Sequence, residues 1–197
     1  MPADDEPLRL RPGARALVVD PDEQILLLRV PVDDGVSVWI TPGGGIELGE
    51  SPLDALRREL VEEVGLRLND APPHVWHQEH VEPGHIEGYD GVVNDYFLVH
   101  TEHFAPRGTM TPEELRAELV YGHRWWGLDE IRSYAGADFF GPRRLGDLLG
   151  SLLRDGLPAA PIRSGSRTAA RGPSPCPARR RRTSSRGRSA CRGGRAS

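Results

Sequence analysis

Lysine is missing altogether: all 25 basic residues of the 197 are arginine. Cysteine is missing from the body of the chain, since Cys176 and Cys191 are the only two. That excludes a cysteine-rich zinc site or a core disulfide there, and agrees with a reducing compartment. No run of 18 or more apolar residues occurs, so nothing reads as a membrane span. The acidic stretch from Met1 to Pro12 lacks the apolar centre of a signal peptide, and a cytoplasmic protein is the expectation. Acids are missing beyond Asp155. Residues 1–157 therefore carry a balance of −15 and the remainder +11, which the net charge of −4 conceals. A body this acidic repels polyanions at long range. If it handles phosphates, a metal cation must invert the field locally.

What is present divides the chain into three parts. Residues 1–11 are an N-terminal extension, residues 12–156 a folded domain, and residues 157–197 an Arg/Pro/Ser/Gly-rich tail expected to be disordered for want of large apolar residues. The run Arg179-Arg180-Arg181-Arg182 lacks interleaved aromatics, and nucleic-acid binding by the tail is not expected. Within the domain, 15–20 and 24–30 read as paired strands about the turn Pro21-Asp22-Glu23. A short strand at Val38-Trp39-Ile40 leads into the turn Pro42-Gly43-Gly44-Gly45. Ser51, Pro52 and Asp54 punctuate the start of a helix that Gly65 ends. Further strands are expected over 74–81 and 92–100, short helices at Thr111 and Asp129, and a last amphipathic helix over 142–154. Strands, helix, strands, helices argue for an α+β domain, a mixed α/β/α sandwich.

The stretch from Gly44 to Leu66 carries the chemistry. At 100° per residue, Glu59, Glu62 and Glu63 fall within an arc of roughly 100°, beside the apolar arc of Leu53, Leu56, Leu60 and Val64. One helix face enters a core while the next presents three carboxylates. Such carboxylates raise one another's pKa unless a cation intervenes, and hard oxygen ligands suit Mg²⁺ or Mn²⁺. Arg58 can orient a carboxylate or Glu50 through a fork-shaped pair. The glycine turn lets backbone approach a ligand closely, and the helix N-terminus is expected to favour its phosphates.

These residues match Gly-x5-Glu-x7-Arg-Glu-U-x-Glu-Glu-x-Gly-U, U being aliphatic, at every fixed position. Chance gives such a match on the order of 10⁻⁶ of the time. The chain thus resembles the Nudix hydrolase superfamily over about residues 12–150. The resemblance implies a mixed sheet between helices and cleavage of a phosphoanhydride bond in a nucleoside diphosphate linked to another moiety, by a metal-bound water. It implies Glu59, Glu62 and Glu63 as metal ligands with the Gly43 carbonyl, and Arg58 and Glu50 as supports. Glu62 or Glu63 is the first candidate for the general base; Glu118, Glu114 or Glu113 is the alternative, from a loop.

Weaker signals remain. Gly44, Gly45, Arg29 and Trp39 are candidates to touch substrate, Arg29 through a phosphate and Trp39 through a nucleobase. Core filling is the preferred reading of Trp76, Trp125 and Trp126. Strict alternation puts His74 and His80 on one side of a strand and His77 on the other, so no zinc site is expected there. An isomerase on the same fold needs a catalytic cysteine that the body lacks. A non-catalytic nucleotide or ADP-ribose-binding module would not need the intact carboxylates. Substrate candidates are nucleoside triphosphates, damaged nucleotides, ADP-ribose and nucleotide sugars; oligomeric state is open, a homodimer included.

Overall fold

A computed structural model describes residues 7–33 and 35–167. Nine strands and four helices occur among them: β1 (Leu10–Val19), β2 (Ile25–Asp33), β3 (Val36–Ile40), β4 (Gly43–Gly45), α1 (Pro52–Glu63), β5 (His74–Ile86), β6 (Tyr89–His100), α2 (Pro112–Ala117), β7 (His123–Trp126), α3 (Leu128–Ser133), β8 (Phe139–Gly141), α4 (Leu145–Asp155) and β9 (Ile162–Arg167). The sheet runs β8-β3-β2-β1-β6-β5-β9, with β4 paired to β1 and β7 to β2. Strand β1 is central. It lies antiparallel to β2 and β4 and parallel to β6.

Alternation along β1 and β2 sorts the core into two layers. Ala14, Ala16, Val18, Leu26 and Leu28 face α1, packing on Ala55, Leu56, Leu60 and Val64. Leu17, Val19, Ile25 and Leu27 face the other way, onto Trp39, Trp76, Trp126 and the α4 leucines Leu145, Leu149 and Leu152. A mixed sheet between helical layers is what the order of elements leads one to expect. No helix among the described residues is long and apolar enough to cross a membrane.

Several boundaries differ from those expected: β1 begins at Leu10, so residues 10 and 11 belong to the domain and not to an N-terminal extension, and β5 runs on to Ile86. Residues 162–167 are not an unstructured start of a tail: they form β9, the edge strand, parallel to β5 from Trp76↔Ile162 to Val81↔Arg167. Backbone pairing to an open edge needs no apolar side chains, which is why composition gives no sign of it. Residues 168–197, including Arg179–Arg182, lie outside the described residues. Helix α3 starts from Gly127, and Asp129 sits in its first turn.

Candidate active site

Helix α1 begins where its sequence says. The Ser51 side chain accepts from the Asp54 N–H (3.2 Å), and Pro52 takes the first turn, where an N–H would be unpaired. The far end is unusual. It carries Glu62 and Glu63 and no basic residue in the last turn, against the helix dipole. Such charges cost roughly 0.3–1 kcal/mol each. Burial of Leu56 and Leu60 contributes roughly 1.5–3 kcal/mol per side chain, so the helix persists. A loop completes the end: the N–H groups of Arg107, Thr109 and Met110 donate to the carbonyls of Val64, Val61 and Glu62, each at 3.1 Å. At Gly65, φ is +77°, and a Cβ would lie 2.1 Å from the Arg107 carbonyl oxygen, so only glycine lets that loop close in.

The glycine turn is strand β4, laid along the C-terminal half of α1. The Gly43 N–H donates to Glu63 Oε2 (2.8 Å), and a Cβ on Gly44 would lie 2.2 Å from Glu59 Oε1. The helix N-terminus, expected to favour phosphate, is occupied instead by Ser51 and Asp54. The Gly43 carbonyl accepts from Arg15, a residue the sequence reading did not single out.

Arg58 organises the acids. Its Nε donates to Glu50 Oε1 (2.9 Å) and Nη2 to Glu50 Oε2 (3.0 Å), forming a fork, and Nη2 also reaches the Gly45 carbonyl (3.1 Å). Its Nη1 bridges Glu59 Oε1 (2.8 Å) and Glu62 Oε2 (3.3 Å). The bond from Arg58, with the Glu47 N–H, holds Glu50 below the usual carboxylate range. Burial pushes Glu59 up against the pull of Arg58. Burial pushes Glu63 up to about 7, partly offset by the Gly43 N–H and Arg15. Three carboxylates at the negative end of one helix, two of them with the charged form disfavoured by burial, fit a hard divalent cation. Glu59, Glu62 and Glu63 can hold it.

The downstream glutamates separate by geometry. A cleft of about 330 Å³ is lined by Glu62, Thr109, Met110, Glu114, Ala117 and Glu118. Glu114 Oε2 is taken by the Thr111 N–H (2.8 Å) in a capping box. Glu113 pairs with Arg116 in solvent. Glu118 shares the cleft with Glu62 and its charge is felt at Glu63. A larger cavity, about 540 Å³, lies between α3, β8 and α4, on the side of the sheet away from these acids; the chemistry, not the volume, identifies the site.

Two expected substrate contacts are not beside the acids. Trp39 is 8% exposed in the α4 layer, edge-on to Trp126 at 5.0 Å, with Nε1 donating to Asp138 (3.0 Å). Arg29, paired to Trp39 across β2 and β3, shares that face and donates to Ser37 (3.0 Å). Nearness of Trp39 to the glycine turn, and of the Arg29 strand end to the site, misleads, because alternate strand residues point to opposite faces. Gly44 and Gly45 do lie at the site, packed on Glu59 and bonded to Arg58. Trp76, Trp125 and Trp126 fill the core layers as expected.

The model of the NUDIX domain matches residues 9–144. The chain belongs to the NUDIX domain family. Among its relatives, an RNA pyrophosphohydrolase of Helicobacter pylori strain G27 is 30% identical over 112 residues, 48% of this chain and 66% of that protein. The chain thus spans just under two thirds of that relative. A NUDIX hydrolase from Nitrosomonas europaea superposes with a TM-score of 0.55 at 17% identity, covering 74% of this chain and 91% of that one, a likeness of fold alone. A MutT protein from Bacillus halodurans gives 0.50 at 25% identity, covering 80% and 90%. NUDIX hydrolases generally use divalent metals, and the glutamates of this NUDIX domain suit one.

Proposed function

We propose that this NUDIX domain hydrolyses a phosphoanhydride bond in a nucleoside diphosphate linked to another moiety, using Mg²⁺ or Mn²⁺. The observation that carries this is the seating of Glu59 and Glu63 on β4, with a single arginine bridging Glu59 to Glu62. A divalent ion held there supplies charge neutralisation on the diphosphate oxygens and lowers the pKa of a water it binds. The chain's own groups do the rest. Arg58, anchored by Glu50, fixes the Glu59 and Glu62 oxygens so that no reorganisation is needed during reaction. Glu118, across the cleft from Glu62 and free of the capping bond that engages Glu114, takes the proton of the attacking water at its carboxylate. Gly44, lacking a side chain, leaves Glu59 seated on β4.

RNA pyrophosphohydrolase is the name of a relative; the −15 body favours a small nucleotide here over a long RNA. A panel of nucleoside triphosphates, oxidised nucleotides, ADP-ribose, nucleotide sugars and 5′-triphosphorylated RNA, assayed with Mg²⁺ at slightly alkaline pH, tests the reading. Divalent-dependent release of phosphate or pyrophosphate from one class supports it. Tight binding of a nucleotide without turnover would make the domain a binding module instead.

A further inference from the structure

Strand β5 breaks the alternation that seemed to separate its histidines. The pairing to β6 shifts between His74↔Phe97 and Trp76↔Tyr96. Val75 and Trp76 are both buried in the α4 layer, and His74 and His77 emerge together on the α1 side. Across from them, on β6, stands Asp95. His77 Nδ1 lies 2.7 Å from Asp95 Oδ1 and His74 Nε2 lies 3.1 Å from the same oxygen. One ligand atom from each of the three falls within 4.8 Å of the others. His74 Nε2 also lies 2.9 Å from the Trp76 carbonyl oxygen, a contact that an ion with ligands at 2.0–2.1 Å would displace as the ring turns toward it.

The surroundings are those of a ligand set. His77 turns its other nitrogen, Nε2, toward Glu79 Oε1 (3.5 Å), and Glu79 is itself paired with Arg163 of β9 (3.7 Å). A carboxylate behind a metal-binding imidazole fixes its tautomer and raises its basicity. The His74 ring stacks on Phe97 at 5.0 Å, which holds its plane. The three side chains are part-buried, at 32%, 18% and 25% exposure, and open to an ion from solution. Register places the cluster: His77, Asp95, Ala14 and Gly44 form one row across four strands. The cluster therefore shares a face with Glu59, about 10 Å from β4 at two strand spacings.

We infer that His74, His77 and Asp95 form a second metal site, for a zinc-class ion, separate from the box glutamates. Two imidazoles and one carboxylate select a borderline transition ion, whereas the all-oxygen glutamate site takes Mg²⁺. The inference stands on its own donors and does not depend on the hydrolase reading.

Zinc binding by the full chain, with Cys176 and Cys191 replaced by serine and with excess Mg²⁺ present, tests it. Equilibrium dialysis should show one Zn²⁺ per chain, retained by the Glu59→Gln/Glu62→Gln/Glu63→Gln variant. His77→Ala and Asp95→Asn should each lose at least about 10-fold in affinity, and Glu79→Gln about 10–100-fold. Co²⁺ in place of zinc should give visible bands that vanish in His74→Ala, whose folding is checked by circular dichroism. Zinc lost in the glutamate variant, or retained unchanged in His77→Ala and Asp95→Asn alike, would overturn the assignment.

Discussion

Helices α1 and α4 cover opposite faces of one sheet and are of nearly equal length, 12 and 11 residues, yet they obey different rules. Helix α4 buries Leu145, Leu149 and Leu152, carries Arg154 in its last turn and stops at Gly156. Its N-cap, Arg144, makes no side-chain capping bond, but its apolar stripe and basic last turn agree with the fold. Helix α1 has a better start, capped by Ser51 with Pro52 in its first turn, then ends on Glu62 and Glu63, where burial pushes Glu63 up to about 7. Where a sequence gives up local stability in this way, the compensation is sought in function. One helix is built to hold the fold, and the other is the one we propose to hold a cation.

Breaking α1 at its acids should give the largest effect. Glu62→Gln and Glu63→Gln are each expected to lower kcat by at least about 10²-fold, while Glu63→Gln leaves the thermal midpoint unchanged or raised, since a buried charge is removed. Steady-state kinetics beside thermal melts would show this; near-normal turnover in both would refute the site. Glu118→Gln should cost about 10²-fold in kcat, in the range of a lost general base. Its control is Glu114→Gln, which keeps the capping box and should retain both activity and stability. Truncation on the other helix sharpens the contrast: Leu149→Ala should lose about 2–5 kcal/mol in a denaturant titration and leave the Mg²⁺ dependence of the surviving native protein unaltered.

The smallest effect is on pH. Glu63 titrates near 7 in the folded protein and near its ordinary value when unfolded. Between those values the native state binds more protons than the unfolded one, so the contribution is full below about 4.5 and is lost as pH rises through about 7. A cation competes with that proton. The rise in melting temperature on adding Mg²⁺ should therefore be greater at pH 8 than at pH 5.5, and a rise independent of pH would count against Glu63 as a cation-facing group.

The helix that holds the acids was legible because its signals are local: cap, proline, period and closing glycine all lie within fifteen residues of one another. What escaped was set by pairing across strands. A bulge at Val75 and Trp76 brings His74 and His77 to one face, where strict alternation parts them. Trp39 was placed by sequence nearness to the glycine turn and Arg29 as the end of a strand expected to approach the site, and both belong to the opposite face. Arg15 meets the Gly43 carbonyl only because β4 folds back on β1. Strand β9 exists because β5 offers an unpaired edge, a fact no composition records.

The central claim is that the acids at the end of α1 work by holding a divalent ion against a diphosphate. Initial rates of anhydride cleavage on the best substrate of the panel, measured across a Mg²⁺ titration, address it for wild type and the Glu59→Gln/Glu62→Gln/Glu63→Gln variant together. Saturating Mg²⁺ dependence in the first and a rate at least about 10²-fold lower throughout in the second is the predicted outcome. Equal rates in the two proteins, or cleavage by wild type undiminished by chelator, would contradict it.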